Sequence, residues 1–373
     1  MKNKSMILAI LLIFTMFLAA CGEETASSSS EQDGVLKIYT TVYPLQDFAE
    51  KIGGRHVDVE SILPPGADAH NYEPDTKQMI ELAEADAFIM NGAGMEAYAG
   101  KIAESIETED VKILEAAEGI DLKHHTHNLE DGEGENHDEE GHEHEEEETH
   151  GEDDHGEEGH EHEEEAHGED DHGEEEGHDH EEDTHADENA DDHAGHDHDG
   201  EDPHVWLDPM KSIQLAENIK EQLVELKPEE KETFEANFEK LKTDLQALDE
   251  DFHTTLEAQK KNKIIVSHAA YGYWEEAYGI EQIAVSGLSP SDEPSQKDLE
   301  KIIDAAEEHG LKHVMFEQNV TPKIAELIQK EIDGDALRIH NLSVLTDAEI
   351  EAEEDYFSLM RKNLNVLKEA LGE

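Results

Sequence analysis

Histidine is the residue whose spacing first suggests chemistry. The chain holds 26 His in 373 residues, and 18 of them fall between positions 124 and 202, beside 39 Asp and Glu and without any Lys or Arg. Gly-His-Glu-His-Glu-Glu-Glu runs from 141 to 147 and again from 159 to 165, and Gly-His-Asp-His recurs from 177 and from 195, an 18-residue period. Each unit sets a His-x-His pair among carboxylates: His142 and His144, His160 and His162, His178 and His180, His196 and His198. Imidazole and carboxylate both ligate divalent metals, so these pairs are candidates for low-affinity metal collection. A solubilising acidic linker would explain the acids, but it would not explain histidines that add little charge at neutral pH. Dense carboxylates favour imidazolium, so the stretch should release metal as pH falls through the histidine range.

Eight further histidines stand at 56, 70, 204, 253, 268, 309, 313 and 340. Three of them occupy positions where ligands gather. His70 lies in PPGADAHNYEP, a Pro/Gly-rich loop after a predicted strand. His204 lies in DPHVWLDP, between the histidine-rich stretch and a predicted helix, and His268 ends the predicted strand KIIVSH. One such histidine is ordinarily an inert loop residue. Three at element ends, in a chain that also carries a metal-collecting stretch, point to a metal site.

The elements that must position them alternate. VLKIYTTVY, VDVESILPP, DAFIMNG and VKILEAA read as strands, separated by the helical stretches LQDFAEKIGG, TKQMIELAEA and MEAYAGKIAESIE. Alternation of this kind implies parallel strands joined by crossovers, hence an α/β lobe whose ligands collect beyond the strand ends. From Pro228 to about Ala258, Phe234, Phe238, Leu241, Leu245, Leu248 and Phe252 recur at helical spacing, and a second α/β unit follows. The expected architecture is α/β: two lobes with parallel-type sheets bridged by one long rigid helix, with the metal site in the cleft between them. The boundaries read as a signal peptide at 1–20, a tether at 21–33, an N-terminal lobe at 34–123 completed by 203–227, an insert at 124–202, a linking helix at 228–260 and a C-terminal lobe at 261–373. The insert has Leu129 and four Ala as its only apolar side chains, so nothing offsets its ordering entropy and disorder is expected. Closing so long a loop instead of a five-residue one costs only about 2–3 kcal/mol.

The balance of 27 Lys+Arg against 98 Asp+Glu, a net charge of −71, excludes a nucleic-acid binder, which must neutralise phosphates. At the N-terminus Lys2 and Lys4 precede an apolar run from Ile7 to Ala20, a signal-peptide core too short to span a bilayer. It closes as Leu18-Ala19-Ala20-Cys21, which resembles the bacterial lipobox, and Cys21 is the only cysteine of the chain. Acylation at Cys21 would tie the protein to the lipid bilayer through the Ser-rich tether, and no intrachain disulfide can form.

PPGADAHNYEP, DPHVWLDP, SHAAYGYW, VSGLSPSDEPS and EDYFSLMRKNL together resemble the metal-binding lipoproteins of bacterial zinc and manganese ABC importers, especially the zinc-uptake type called ZnuA or AdcA. The resemblance runs from about Val35 to the C-terminus, interrupted by the insert. It implies that His70, His204 and His268 are the three histidine ligands, and that an ABC-type permease is the partner of a monomeric receptor. Manganese relatives tend to place Glu where this chain has His268, and a nitrogen-rich site suits Zn²⁺ better than Mn²⁺. At the fourth position the chain departs from the family: Ser343 stands where zinc relatives often have Glu. A water, Glu317 or Asp347 would then complete the site, with Asp208 and Glu73 as candidates to orient ligands. The expected function is extracytoplasmic zinc capture without catalysis. Alternatives are a manganese-specific member of the same family, a surface metal buffer or adhesin, and a zinc hydrolase.

Overall fold

In each half of the chain the most apolar strands lie second and third in their sheet, where both faces are covered. The computed structural model describes residues 34–106, 109–124, 200–318 and 323–372. The leader, the tether with Cys21 and the His-x-His pairs between 142 and 198 lie outside the described residues. In the first lobe β1 (Leu36–Thr40), β2 (Val57–Ser61), β3 (Ala87–Met90) and β4 (Lys112–Glu115) form an all-parallel sheet in the order β2-β1-β3-β4. Ile38 pairs with Val59 on one side and Ala87 on the other. In the second lobe β5 (Lys263–His268), β6 (Glu281–Ser286), β7 (His313–Phe316) and β8 (Asp335–Arg338) repeat that order as β6-β5-β7-β8, again all parallel.

Crossover helices α1 (Tyr43–Gly53), α2 (Thr76–Ala83) and α3 (Ala99–Ile106) serve the first sheet. The chain then passes through α4 (Pro209–Leu226) and α5 (Lys231–Leu256) before α6 (Gly272–Tyr278), α7 (Gln296–Glu308), α8 (Lys323–Glu331), α9 (Asp347–Glu351) and α10 (Tyr356–Gly372). Helix α5 has 26 residues, about 39 Å at 1.5 Å per residue, and buries Phe234, Phe238, Leu241, Leu245, Leu248, Phe252 and Leu256. It starts later than the spacing predicts, because Pro228–Glu230 wind as a separate 3-10 turn after Lys227, whose φ of −140° is not helical. The five-residue α9 was not legible as a helix; Thr346 and Glu349 nucleate it by capping each other's backbone.

Helix α5 belongs to both lobes. Its apolar stripe joins one continuous core that includes Phe48 and Trp206 of the first lobe and Ile264, Val266 and Met315 of the second sheet. Ile265, pointing the other way from β5, packs instead with Val314, Phe316, Ile302 and Ile328 in a separate core under α7 and α8. Two-faced burial of β5 thus pins the strand that ends in His268.

Candidate metal centre

Three different local structures deliver the three histidines. His70 sits in the loop after β2, where Asp68 Oδ1 accepts its backbone N–H at 3.0 Å. That loop is held against the second lobe by Gly66, whose N–H donates to Leu345 O at 3.0 Å. His204 precedes the 3-10 turn Val205–Leu207 that leads into α4. His268 is the last residue of β5, at the carboxyl end of the strand where the order of the sheet reverses, the usual ligand position in such sheets.

One ligand atom from each ring lies within 4.8 Å of the others. Ring centroids are 5.3 Å apart for His70 and His204, 5.3 Å for His204 and His268, and 6.1 Å for His70 and His268. His204 and His268 are 1% and 0% exposed, while His70 keeps one edge toward solvent. Burial, and then the neighbouring His204 and His268, push the His70 imidazole down to about 3. It is therefore neutral at physiological pH, the form that ligates metal.

The nitrogens turned away from the cluster are fixed by carboxylates. His204 Nδ1 lies 2.8 Å from Asp202 Oδ1, which also accepts the His204 backbone N–H at 2.9 Å. His268 Nδ1 lies 2.9 Å from Glu317 Oε1, and the other Glu317 oxygen accepts from Ser267 Oγ. With Nδ1 engaged, Nε2 is the nitrogen these two rings offer to the cluster, and among the described residues His268 Nε2 is buried with no hydrogen-bond partner. A buried polar atom left unsatisfied among two other imidazoles is what a divalent cation would satisfy.

The other sequence candidates fall elsewhere. Glu317 is fully buried but stands behind His268, as its hydrogen-bond acceptor, and not beside the three ring nitrogens. Ser343 is turned into its own loop, donating to Asn341 Oδ1 at 2.9 Å, and its carbonyl accepts from Tyr43 N at 2.9 Å. Asp347 is exposed in the first turn of α9. Asp208 caps α4, accepting from Met210 N at 2.7 Å and Lys211 N at 3.3 Å, and burial raises its carboxyl above the usual range. Glu73 is exposed near His70, on a cavity of about 460 Å³ whose far wall is Tyr98 and Ile102. The residue that the sequence reading missed is Asp202, counted there as one more acid of the insert. Its signal was the Asp-Pro-His spacing, because an Asp side chain commonly accepts the backbone N–H two residues on.

Two parallel α/β lobes sharing a core along one helix, with three imidazoles converging between them, define a two-lobed binding fold with a site of metal-ligand composition. The family model described as zinc-uptake complex component A, periplasmic (ZnuA) matches residues 38–370. The chain belongs to the ZnuA family. It is 32% identical to the zinc-binding lipoprotein AdcA of Streptococcus pneumoniae serotype 4, over 99% of this chain and 61% of that protein. It is 29% identical to the high-affinity zinc uptake system protein ZnuA of Bacillus subtilis, over 95% of this chain and 94% of that protein. The chain thus spans about three-fifths of the AdcA proteins it matches. Among solved structures, the Zn(II)-bound ZnuA-like domain of Streptococcus pneumoniae AdcA aligns with a TM-score of 0.63 at 27% identity, covering 91% of this chain and 100% of that one. The metal-dependent lipoprotein YcdH of Bacillus subtilis aligns with a TM-score of 0.62 at 26% identity, over 91% and 100% of the two chains. Among the described residues no helix is long and apolar enough to cross a membrane.

Proposed function

We propose that this chain captures Zn²⁺ outside the cytoplasm and passes it, chemically unchanged, to an ABC-type permease, while acylated Cys21 holds it at the membrane. His70, His204 and His268 are the protein ligands, and a water molecule fills the fourth position. The observation that carries this reading is the convergence of three imidazole nitrogens within 4.8 Å, two of them on rings whose other nitrogen rests on a buried carboxylate. A nitrogen-only set favours Zn²⁺ over the harder Mn²⁺. The names of the relatives, zinc-binding and zinc-uptake proteins, support the same ion. In this reading the chain is a carrier and not an enzyme, and the His-x-His pairs of the insert raise the local supply of zinc.

Titration of apo protein with Zn²⁺ against a competing chelator tests this reading. One tight site is expected, lost in His70→Ala or His268→Ala, and kept when a short Gly-Ser linker replaces residues 125–199. That replacement spares Asp202 and the antiparallel pair His124 and Glu201, which a cut at 124–202 would remove. Loss of tight binding on replacing the insert would make the protein a surface buffer. Mn²⁺ in the tight site of protein purified without added metal would refute the choice of ion, and metal-dependent hydrolysis of esters or phosphates would refute the carrier.

A further inference from the structure

The chain enters and leaves the insert through a closed stem. His124 and Glu201 pair in an antiparallel bridge, and Asp202 N donates to Lys123 O at 2.7 Å. This stem leans on the second lobe. The Tyr273 hydroxyl donates to Asp202 O at 2.6 Å and accepts from Lys123 N at 3.3 Å. The Lys123 ammonium reaches Gly272 O at 2.9 Å and pairs with the Glu275 carboxylate. A Cβ on Gly272 would stand 2.5 Å from Asp202 Oδ2, so the carboxylate approaches α6 this closely only because residue 272 has no side chain. From the first lobe, Asn91 Nδ2 donates to Pro203 O at 3.0 Å.

We infer that Asp202 is a positioning residue for the metal site, set in place by a clamp of Lys123, Gly272 and Tyr273, so that the second lobe controls the orientation of a histidine carried by the first. The inference rests on the zinc site proposed above. The bond from Asp202 Oδ1 to His204 Nδ1 fixes the ring's plane and its tautomer, as outer partners of metal-binding histidines do. Being only two residues away, Asp202 would reach His204 in many loop conformations. What selects one is the grip on Asp202: Tyr273 and Lys123 hold its backbone, and Gly272 lets its carboxylate lie against α6, which begins only four residues beyond His268. Any displacement of α6 against the first lobe therefore moves Asp202 and turns the His204 ring while His268 itself shifts. Lobe position and metal affinity are coupled through one carboxylate.

The coupling is tested with Asp202→Asn, Tyr273→Phe and Gly272→Ala in the full chain, measuring Zn²⁺ affinity by chelator competition, the visible spectrum of the Co²⁺-loaded protein, and the melting temperature of the apo form. Asp202→Asn should bind Zn²⁺ ten- to a hundredfold more weakly, the range for losing an outer partner of a metal-bound histidine. Tyr273→Phe, which touches no ligand, should weaken binding several-fold and alter the Co²⁺ bands, with an apo melting temperature near that of the parent. Gly272→Ala should follow Tyr273→Phe. Extending the linker replacement through Asp202 should cost as much as Asp202→Asn. Zinc affinities within twofold of the parent and an unchanged Co²⁺ spectrum in Tyr273→Phe would overturn the inference, and that variant decides the matter even where Asp202→Asn fails to fold. Absence of tight binding in the parent would instead overturn the proposed function.

Discussion

Replacing Glu317 by Gln removes one negative charge and little else. Glu317 Oε1 receives His268 Nδ1 at 2.9 Å, its second oxygen receives Ser267 Oγ, and Tyr271 Oη approaches at 3.5 Å. An amide oxygen can still accept from Nδ1–H, and the amide NH₂ can donate to Ser267, so the ring stays oriented while the charge behind it disappears. A hydrogen bond, the width of an imidazole and a zinc–nitrogen bond put that charge roughly 7 Å from a dication, an attraction of about 5 kcal/mol at an effective dielectric constant of 20. Partial compensation by the site reduces this, and losing an outer partner typically costs ten- to a hundredfold in affinity, about 1.4–2.7 kcal/mol. Glu317→Gln should therefore lower zinc affinity by ten- to a hundredfold. The melting temperature of the apo protein should hold or rise, because a buried charge has been replaced by a neutral group. Glu317→Ala should lose in both measurements, since it leaves His268, Ser267 and Tyr271 without their common acceptor. Chelator competition and calorimetry of the apo form read the two quantities separately. Wild-type affinity in Glu317→Gln beside a large loss in Glu317→Ala would refute the electrostatic role and leave only packing.

Other perturbations separate the site from the scaffold. Asp208→Ala removes the α4 cap and should cost about 0.5–2 kcal/mol of stability with zinc affinity unchanged, measured by denaturant unfolding and titration. Leu245→Ala, at a fully buried position of α5, should cost about 2–5 kcal/mol while unfolding remains a single transition. Burial alone would raise the Glu349 carboxyl, but the His340 ring, with Nε2 at 3.2 Å, together with the Thr346 donors, holds it at about 2, below its ordinary 4.5. A depressed carboxylate stabilises the fold above its unfolded value and loses that contribution as pH falls through its folded value. About 1–3 kcal/mol should thus disappear between roughly pH 4.5 and 2, and Glu349→Gln should flatten acid unfolding in that window.

The three histidines could be picked out because each adjoins a recognisable element: His268 ends the strand KIIVSH, His204 stands just before the helix of Pro209, and His70 lies in the Pro/Gly loop after β2. Helix α5 was legible because Phe234 to Phe252 repeat at three and four residues for about five turns. Asp202 was hidden by its surroundings, since one acid at the end of a stretch with 39 looks like the rest until a backbone bridge to Lys123 singles it out. Glu317 was visible as an acid near a strand end, but whether such a carboxylate meets the ion or the histidine depends on which nitrogen it faces. Spacing carries no record of that. Ser343 marked the departure from the family pattern, and its bond to Asn341 arises from a loop fold that no local pattern predicts.

The core that runs from Phe48 through α5 to Val266 is shared by both lobes, while the second sheet keeps a further core of its own under α7 and α8. Separating the lobes exposes apolar surface of both along α5, so a ligand bound between them opposes that opening. At a hundredfold excess over its dissociation constant, a ligand adds about 2.7 kcal/mol, which lowers the unfolded population about a hundredfold. Where proteases act on transiently opened chains, empty copies are cleared sooner than filled ones. In the proposed role, scarcity of the ion then shortens the life of the protein that would gather it, and the number of copies remaining becomes a record of how much metal has recently passed.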